Sequence, residues 1–315
     1  MPETPRLSRR RLLRLTAALP FGALLVACGG DGDAAPAGDA AEAKKQPPAP
    51  TSTPEPPFVV AAGEQKRLLL PGTPSETPAY VFGTGLPGKV VMALGGVHGN
   101  EPGGWQAAEQ LADRFRPVQG AFIIIPRANK LAITDFVRTT DQLGDLNRLY
   151  PGAQDGLPMA QMAYSIVDLV REFHVAVLVD MHESWAFYKD RSQNGTAFLG
   201  QTVATYPAEP GMTLGRNVVD AVNGRILGAQ EEFTYREFPS GRLPNPTSAA
   251  PNDTSGNPQA AVSGGSQSSL GLPRYIENLT VLLVEMGQQQ LLSRRVALHV
   301  DVFQEVARRS GIVSA

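Results

Sequence analysis

At 315 residues, with 42% hydrophobic and 18% charged side chains, the chain is long enough for a sizeable core and has the composition of a globular protein. Its formal charge of −2 is uneven: residues 1–27 hold Arg6, Arg9, Arg10, Arg11 and Arg14 against Glu3, a net of +4, which leaves −6 for the rest. That balance excludes a general nucleic-acid binder.

The first segment reads as an address rather than as structure. Ser8-Arg9-Arg10-Arg11-Leu12-Leu13-Arg14 resembles a twin-arginine export signal, and the apolar stretch Leu15–Ala27 after it is short for a membrane span. It ends in Leu25-Val26-Ala27-Cys28, which resembles a bacterial lipobox, so Cys28 is the expected lipidation site. Cys28 is also the only cysteine, which excludes a disulfide within the chain. The resemblance implies cleavage before Cys28 and a protein held on the outer side of a bacterial membrane. Residues 28–57, rich in Pro, Ala, Gly and Asp, read as a disordered tether, and residues 58–315 as the folded domain.

From Phe58 onward, apolar runs alternate with amphipathic patterns. Strands are predicted at Tyr80–Gly83, Val90–Leu94, Phe122–Ile125, Val175–Met181, Ala197–Val203, Phe233–Phe238 and Thr280–Glu285. Helices are predicted at Gly104–Arg116, Ala160–Phe173, Leu214–Leu227 and Gln288–Arg309. The strands are continuous apolar runs, as expected of a sheet covered on both faces. The expected class is therefore α/β, with a mixed, mainly parallel central sheet flanked by helices. Pro239–Leu272 has no periodicity and reads as a long insertion, either a mobile surface loop or a wall of the cleft.

In such sheets ligands collect beyond the carboxyl ends of the strands. His98 and Glu101 stand there in Gly95-Gly96-Val97-His98-Gly99-Asn100-Glu101-Pro102, and His182 ends the run Val175–Met181. Two His and one Glu are the ligand set of a hydrolytic zinc site that keeps its fourth position open. Asp180, two residues before His182 and on the same strand face, is placed to hold its ring from behind. Glu183 points the other way, to solvent or the pocket wall. His174 and His299 lack a ligand setting and read as structural or surface residues. Hydrolysis needs a base, and Glu285 in its apolar run is the candidate, since burial raises a carboxyl pKa. Arg127, directly after Ile123-Ile124-Ile125-Pro126, is the candidate cation for the developing oxyanion. Asn147 and Arg148, in Asp145-Leu146-Asn147-Arg148, suit a substrate carboxylate.

Taken in order, the His98-x-x-Glu101 turn, Pro126-Arg127-Ala-Asn, Asp145-Leu-Asn147-Arg148, Asp180-Met-His182 and Val284-Glu285-Met-Gly resemble the succinylglutamate desuccinylase/aspartoacylase family, a branch of the zinc carboxypeptidase (M14-like) fold. The resemblance implies one Zn2+ on His98, Glu101 and His182, Glu285 as general base and acid, Arg127 as carbonyl polariser, and Asn147 with Arg148 as the carboxylate grip. The chain runs only a short way past Glu285, which leaves little room for the C-terminal β domain of the aspartoacylases, so their small acyl-aspartate specificity is not implied. The expected function is an extracytoplasmic, lipid-anchored zinc hydrolase cleaving an amide next to a carboxylate-bearing residue. Its substrate would be a small peptide, cell-wall peptides included, or an N-acyl amino acid. The competing reading is a non-catalytic lipoprotein that captures zinc or peptides for a transporter. In that case Glu285 and Arg127 would have no task.

Overall fold

The computed structural model describes residues 57–184, 200–237 and 267–313. The chain divides at Pro54/Glu55, and every described residue falls in the second unit. The export signal, Cys28, nearly all of the tether, the first part of the predicted strand Ala197–Val203 and residues 239–266 of the insertion lie outside the described residues.

Among the described residues, eight strands form one sheet: β1 Gly63–Leu69, β2 Thr77–Gly83, β3 Val90–Gly95, β4 Ala121–Ile125, β5 Val175–Ser184, β6 Thr202–Thr205, β7 Thr234–Glu237 and β8 Thr280–Gly287. Their order is β1-β2-β4-β3-β5-β8-β6-β7. The central β4-β3-β5-β8 ladder is parallel throughout. Antiparallel pairing attaches β2 to β4 on one flank and β6 to β8 on the other, so the sheet is mixed and mainly parallel, as expected. The apolar runs explain the centre. All of β3 and all of β4 are buried, and each Ile of Ile123-Ile124-Ile125 contributes roughly 1.5–3 kcal/mol on leaving water.

Among the described residues, five α-helices flank the sheet: α1 Pro102–Arg114, α2 Lys130–Asp135, α3 Pro158–Glu172, α4 Gly211–Asn223 and α5 Leu292–Arg309. Side chains of α3 share one core with alternate strand residues such as Met92, Ile123 and Leu283. Residues of α1, α4 and α5 share the core on the opposite face with Val91, Ile124, Met181 and Val284. Helix ends differ from the sequence pattern by a few residues. Pro102, whose missing N–H costs nothing in a first turn, starts α1 two residues before the predicted Gly104. Helix α5 starts at Leu292 rather than Gln288, because Gln288–Gln290 turn away from β8.

Two elements have no counterpart in the sequence reading. Strand β1, Gly-Glu-Gln-Lys-Arg-Leu-Leu, is exposed along six of its seven residues and so lacks an apolar run. Helix α2 is only six residues long and is fixed by its cap, with Asn129 Oδ1 accepting from Ala132 N at 3.2 Å. The last residues of the Pro239–Leu272 insertion are ordered: Ser269–Arg274 form a 3-10 helix whose Leu270 and Leu272 join the α3-side core. Among the described residues no helix is long and apolar enough to cross a membrane.

Candidate active site

The site is built where β3 and β5 end side by side. Gly95 is paired with Met181, so the turn after β3 runs over the end of β5. Gly96, at φ +71°, gives this turn a left-handed step that side chains resist. Gly99 lies so close to the Ala132 backbone that a Cβ would not fit. The turn is thereby pressed down onto α2, and His98 and Glu101 are delivered inward, 1% and 6% exposed.

Strand β5 supplies the rest by its two-residue period. Asp180 and His182 project to the α3 face, Met181 and Glu183 to the α1/α5 face. His98, Glu101 and His182 are brought together, with ligand atoms all within 4.8 Å of one another. His98 Nδ1 is 2.7 Å from Glu101 Oε1, His182 Nδ1 is 3.0 Å from Glu101 Oε2, and the two Nδ1 atoms are 3.2 Å apart. Ligands about 2.0–2.1 Å from a tetrahedral zinc ion lie about 3.3 Å from one another, so the contacts of 2.7–3.2 Å between the two Nδ1 atoms and the two Glu101 oxygens stand close to the edges such an ion requires.

The outward nitrogens fit the same reading. His98 Nε2 is 3.1 Å from Asp145 Oδ1, and His182 Nε2 is 3.2 Å from Asp180 Oδ1. A carboxylate behind each ring favours a proton on Nε2 and leaves the Nδ1 lone pair for a cation. Asp180, fully buried, is itself held by Ser269 Oγ at 2.5 Å. The charge balance calls for positive charge. Burial alone would raise the Glu101 pKa, but the two imidazoles outweigh it and hold this carboxyl well below its usual range. Burial pulls His182 down, yet Asp180 and Glu101 together lift it well above an ordinary histidine. Asp145 is likewise kept ionised, against its burial, by His98, Arg138 and Arg148.

Glu285 is the cross-strand neighbour of His182 in the parallel β5–β8 pair, so both side chains stand on one face. Burial, countered in part by His182, pushes its pKa up to about 7, the range of a general base. Asn147 and Arg148 form a 3-10 turn capped by Asp145, whose Oδ1 accepts from Asn147 N at 3.0 Å. Asn147 Oδ1 is buried with no hydrogen-bond partner among the described residues.

Arg127 is not part of this cluster. Its guanidinium pairs with Glu109 of α1 and stacks over Trp105, 4.8 Å from the ring centroid. There it lines a separate cavity of about 630 Å3 with Tyr80, Glu109 and Arg116. The residue after a strand's end can turn to either face, and α1 draws this one away from the histidines. The cation that reaches the cluster is Arg138, 3.7 Å from Glu101 Oε1 and 3.1 Å from Asp145 Oδ2. Nothing in Asp135-Phe-Val-Arg138-Thr marks it, because a short helix and its left-handed cap at Phe136 set its direction. Glu183 does point away from His182, but into the α1/α5 core rather than to solvent. His299 is fully buried in α5, where burial pushes its pKa down to about 3, and His174 stacks on Phe58.

Residues 87–186 match the model of the succinylglutamate desuccinylase/aspartoacylase catalytic domain. That stretch holds His98, Glu101, His182, Arg138 and Asp145–Arg148 but not Glu285. No curated protein sequence matches. Among solved structures, the chain is similar to the cell shape determinant protein Csd4 from Helicobacter pylori, at 16% identity, 71% of this chain and TM-score 0.57. It spans 51% of that protein, which is described as a D,L-carboxypeptidase and has been crystallised with a tripeptide and with mDAP. It is similar as well to a succinylglutamate desuccinylase/aspartoacylase from Rhodobacter sphaeroides, at 20% identity, 82% of this chain, 68% of that one and TM-score 0.53. The fold is the zinc carboxypeptidase-like one these proteins share.

Proposed function

We propose that this chain is a zinc-dependent hydrolase that cleaves an amide bond next to a carboxylate-bearing residue, and that lipidated Cys28 holds it outside a bacterial membrane. The observation that carries the reading is the convergence of His98, Glu101 and His182, backed by Asp145 and Asp180, with Glu285 across the strand pair. When bound, a zinc ion supplies Lewis-acid polarisation and a more acidic water.

The chain's own residues do the rest. Glu285 takes the proton of the attacking water and returns it to the leaving nitrogen, a role suited to a carboxyl poised near neutral pH. Arg138 faces the charge that grows on the carbonyl oxygen, in place of the expected Arg127. Asn147 and Arg148 orient the substrate carboxylate.

The likeness to Csd4 supports a carboxypeptidase acting on short, cell-wall-type peptides. The match to the desuccinylase/aspartoacylase domain supports an N-acyl-amino-acid deacylase. Purified zinc-loaded protein, assayed on a tripeptide with a free C-terminal carboxylate and on N-succinyl- and N-acetyl-amino acids, separates the two. Turnover of neither set would overturn the hydrolase reading in favour of a capture lipoprotein.

A further inference from the structure

The turn that carries two of the three candidate ligands is held from two sides. On the α2 side the ties run backbone to backbone. Ala128 N donates to Gly95 O at 3.0 Å, Asn129 N to Gly96 O at 2.8 Å, and Gly99 N to Arg138 O at 3.2 Å. Toward β8 the tie is a side chain. Gln288 Nε2 donates to the Asn100 carbonyl at 3.0 Å, and that carbonyl belongs to the planar peptide that leads into Glu101. Holding it fixes the plane from which the Glu101 side chain departs.

Gln288 is itself anchored to the sheet. It follows the last residue of β8 and stands three residues after Glu285. Its backbone N–H donates to Ser184 O at 2.7 Å, which carries the β5–β8 pairing one step past Ser184 and Gly287. The same Nε2 donates to Glu183 Oε2 at 3.3 Å, an oxygen that Arg295 Nη1 also holds at 2.7 Å. A side-chain amide nitrogen has two hydrogens to give, and both of these partners are acceptors, so its NH2 end is the one that must face them. Gln288 is only half-buried, so filling the core does not account for it.

We infer that Gln288 is a positioning residue: it registers the turn bearing His98 and Glu101 against the strand pair bearing His182 and Glu285. A base must stand within hydrogen-bond reach of the proton it takes, and a misplacement of about 1 Å can cost about 100-fold in rate. The inference rests on the metallohydrolase reading only in taking zinc as the ion and Glu285 as the base. Gln288→Met keeps the length of the side chain and removes both donors. In metal-free full-length protein, amides of residues 99–101 should exchange several-fold faster in this variant than in wild type, while those of β3 and β5 keep their rates. Zinc affinity by titration should weaken about 3- to 10-fold, the size expected for one net hydrogen bond. With zinc saturating, kcat should fall about 3- to 30-fold and KM should stay within about twofold, because the carboxylate grip is untouched. Melting temperature checks folding, and Gln288→Asn, whose amide stops one carbon short, serves in the same assays if the Met variant does not fold. Wild-type exchange rates at residues 99–101, or a loss confined to melting temperature, would overturn the positioning role. Wild-type protein that takes up no zinc would sink the metal reading instead, and the exchange comparison would still decide this one.

Discussion

The carboxyl ends of β4 and β5 look equally promising in the sequence, each an apolar run ending in a polar residue, yet they serve different ends. Beyond β4, Arg127 turns back over Trp105 to Glu109 and leaves the site. At β5, Asp180 and His182 are still inside the strand, so the pleat fixes their direction and sends both to the side of His98 and Glu101. A residue inside a strand inherits its face from its parity. A residue past the end takes its face from whatever packs there.

The sharpest break of this contrast lies across β5, at Glu285. Glu285→Gln should lower kcat by about 100- to 10,000-fold while zinc stays bound, read by steady-state turnover alongside metal content. The same residue sets the pH dependence. A base works ionised, and its pKa is pushed up to about 7, so kcat/KM should fall as pH drops below about 7. That acid limb should be absent from the residual activity of Glu285→Gln.

The two arginines come next. Arg138→Ala should cost about 100- to 1,000-fold in kcat, as expected for loss of one donor to the oxyanion. Arg127→Ala should leave kcat within about threefold, since it removes only a half-exposed pair worth about 1 kcal/mol or less. Reversed effects would restore the sequence-based assignment. An effect smaller than that at Arg138 is expected at Asp180→Asn, which keeps the shape but not the charge behind His182. Zinc affinity should weaken about 10- to 100-fold by isothermal titration, with the fold retained.

This contrast also explains how much was legible beforehand. The central parallel strands were, because burial on both faces writes a continuous apolar run, and so were the ligand candidates and Asp180, tied to strand ends by short, fixed spacings. Strand β1 was not, since an exposed edge needs no apolar code. Arg138 was not, because α2 and the left-handed Phe136 aim it from a turn without a signature. The direction of Glu183 followed from parity, but its burial depended on α5, more than a hundred residues later in the chain.

The most direct test of the central claim is a zinc titration of metal-free protein, with wild type and His182→Ala compared. One zinc ion per wild-type chain, with loss of that site in His182→Ala, is the predicted result. No zinc uptake by wild type, or the same uptake by the variant, would contradict it.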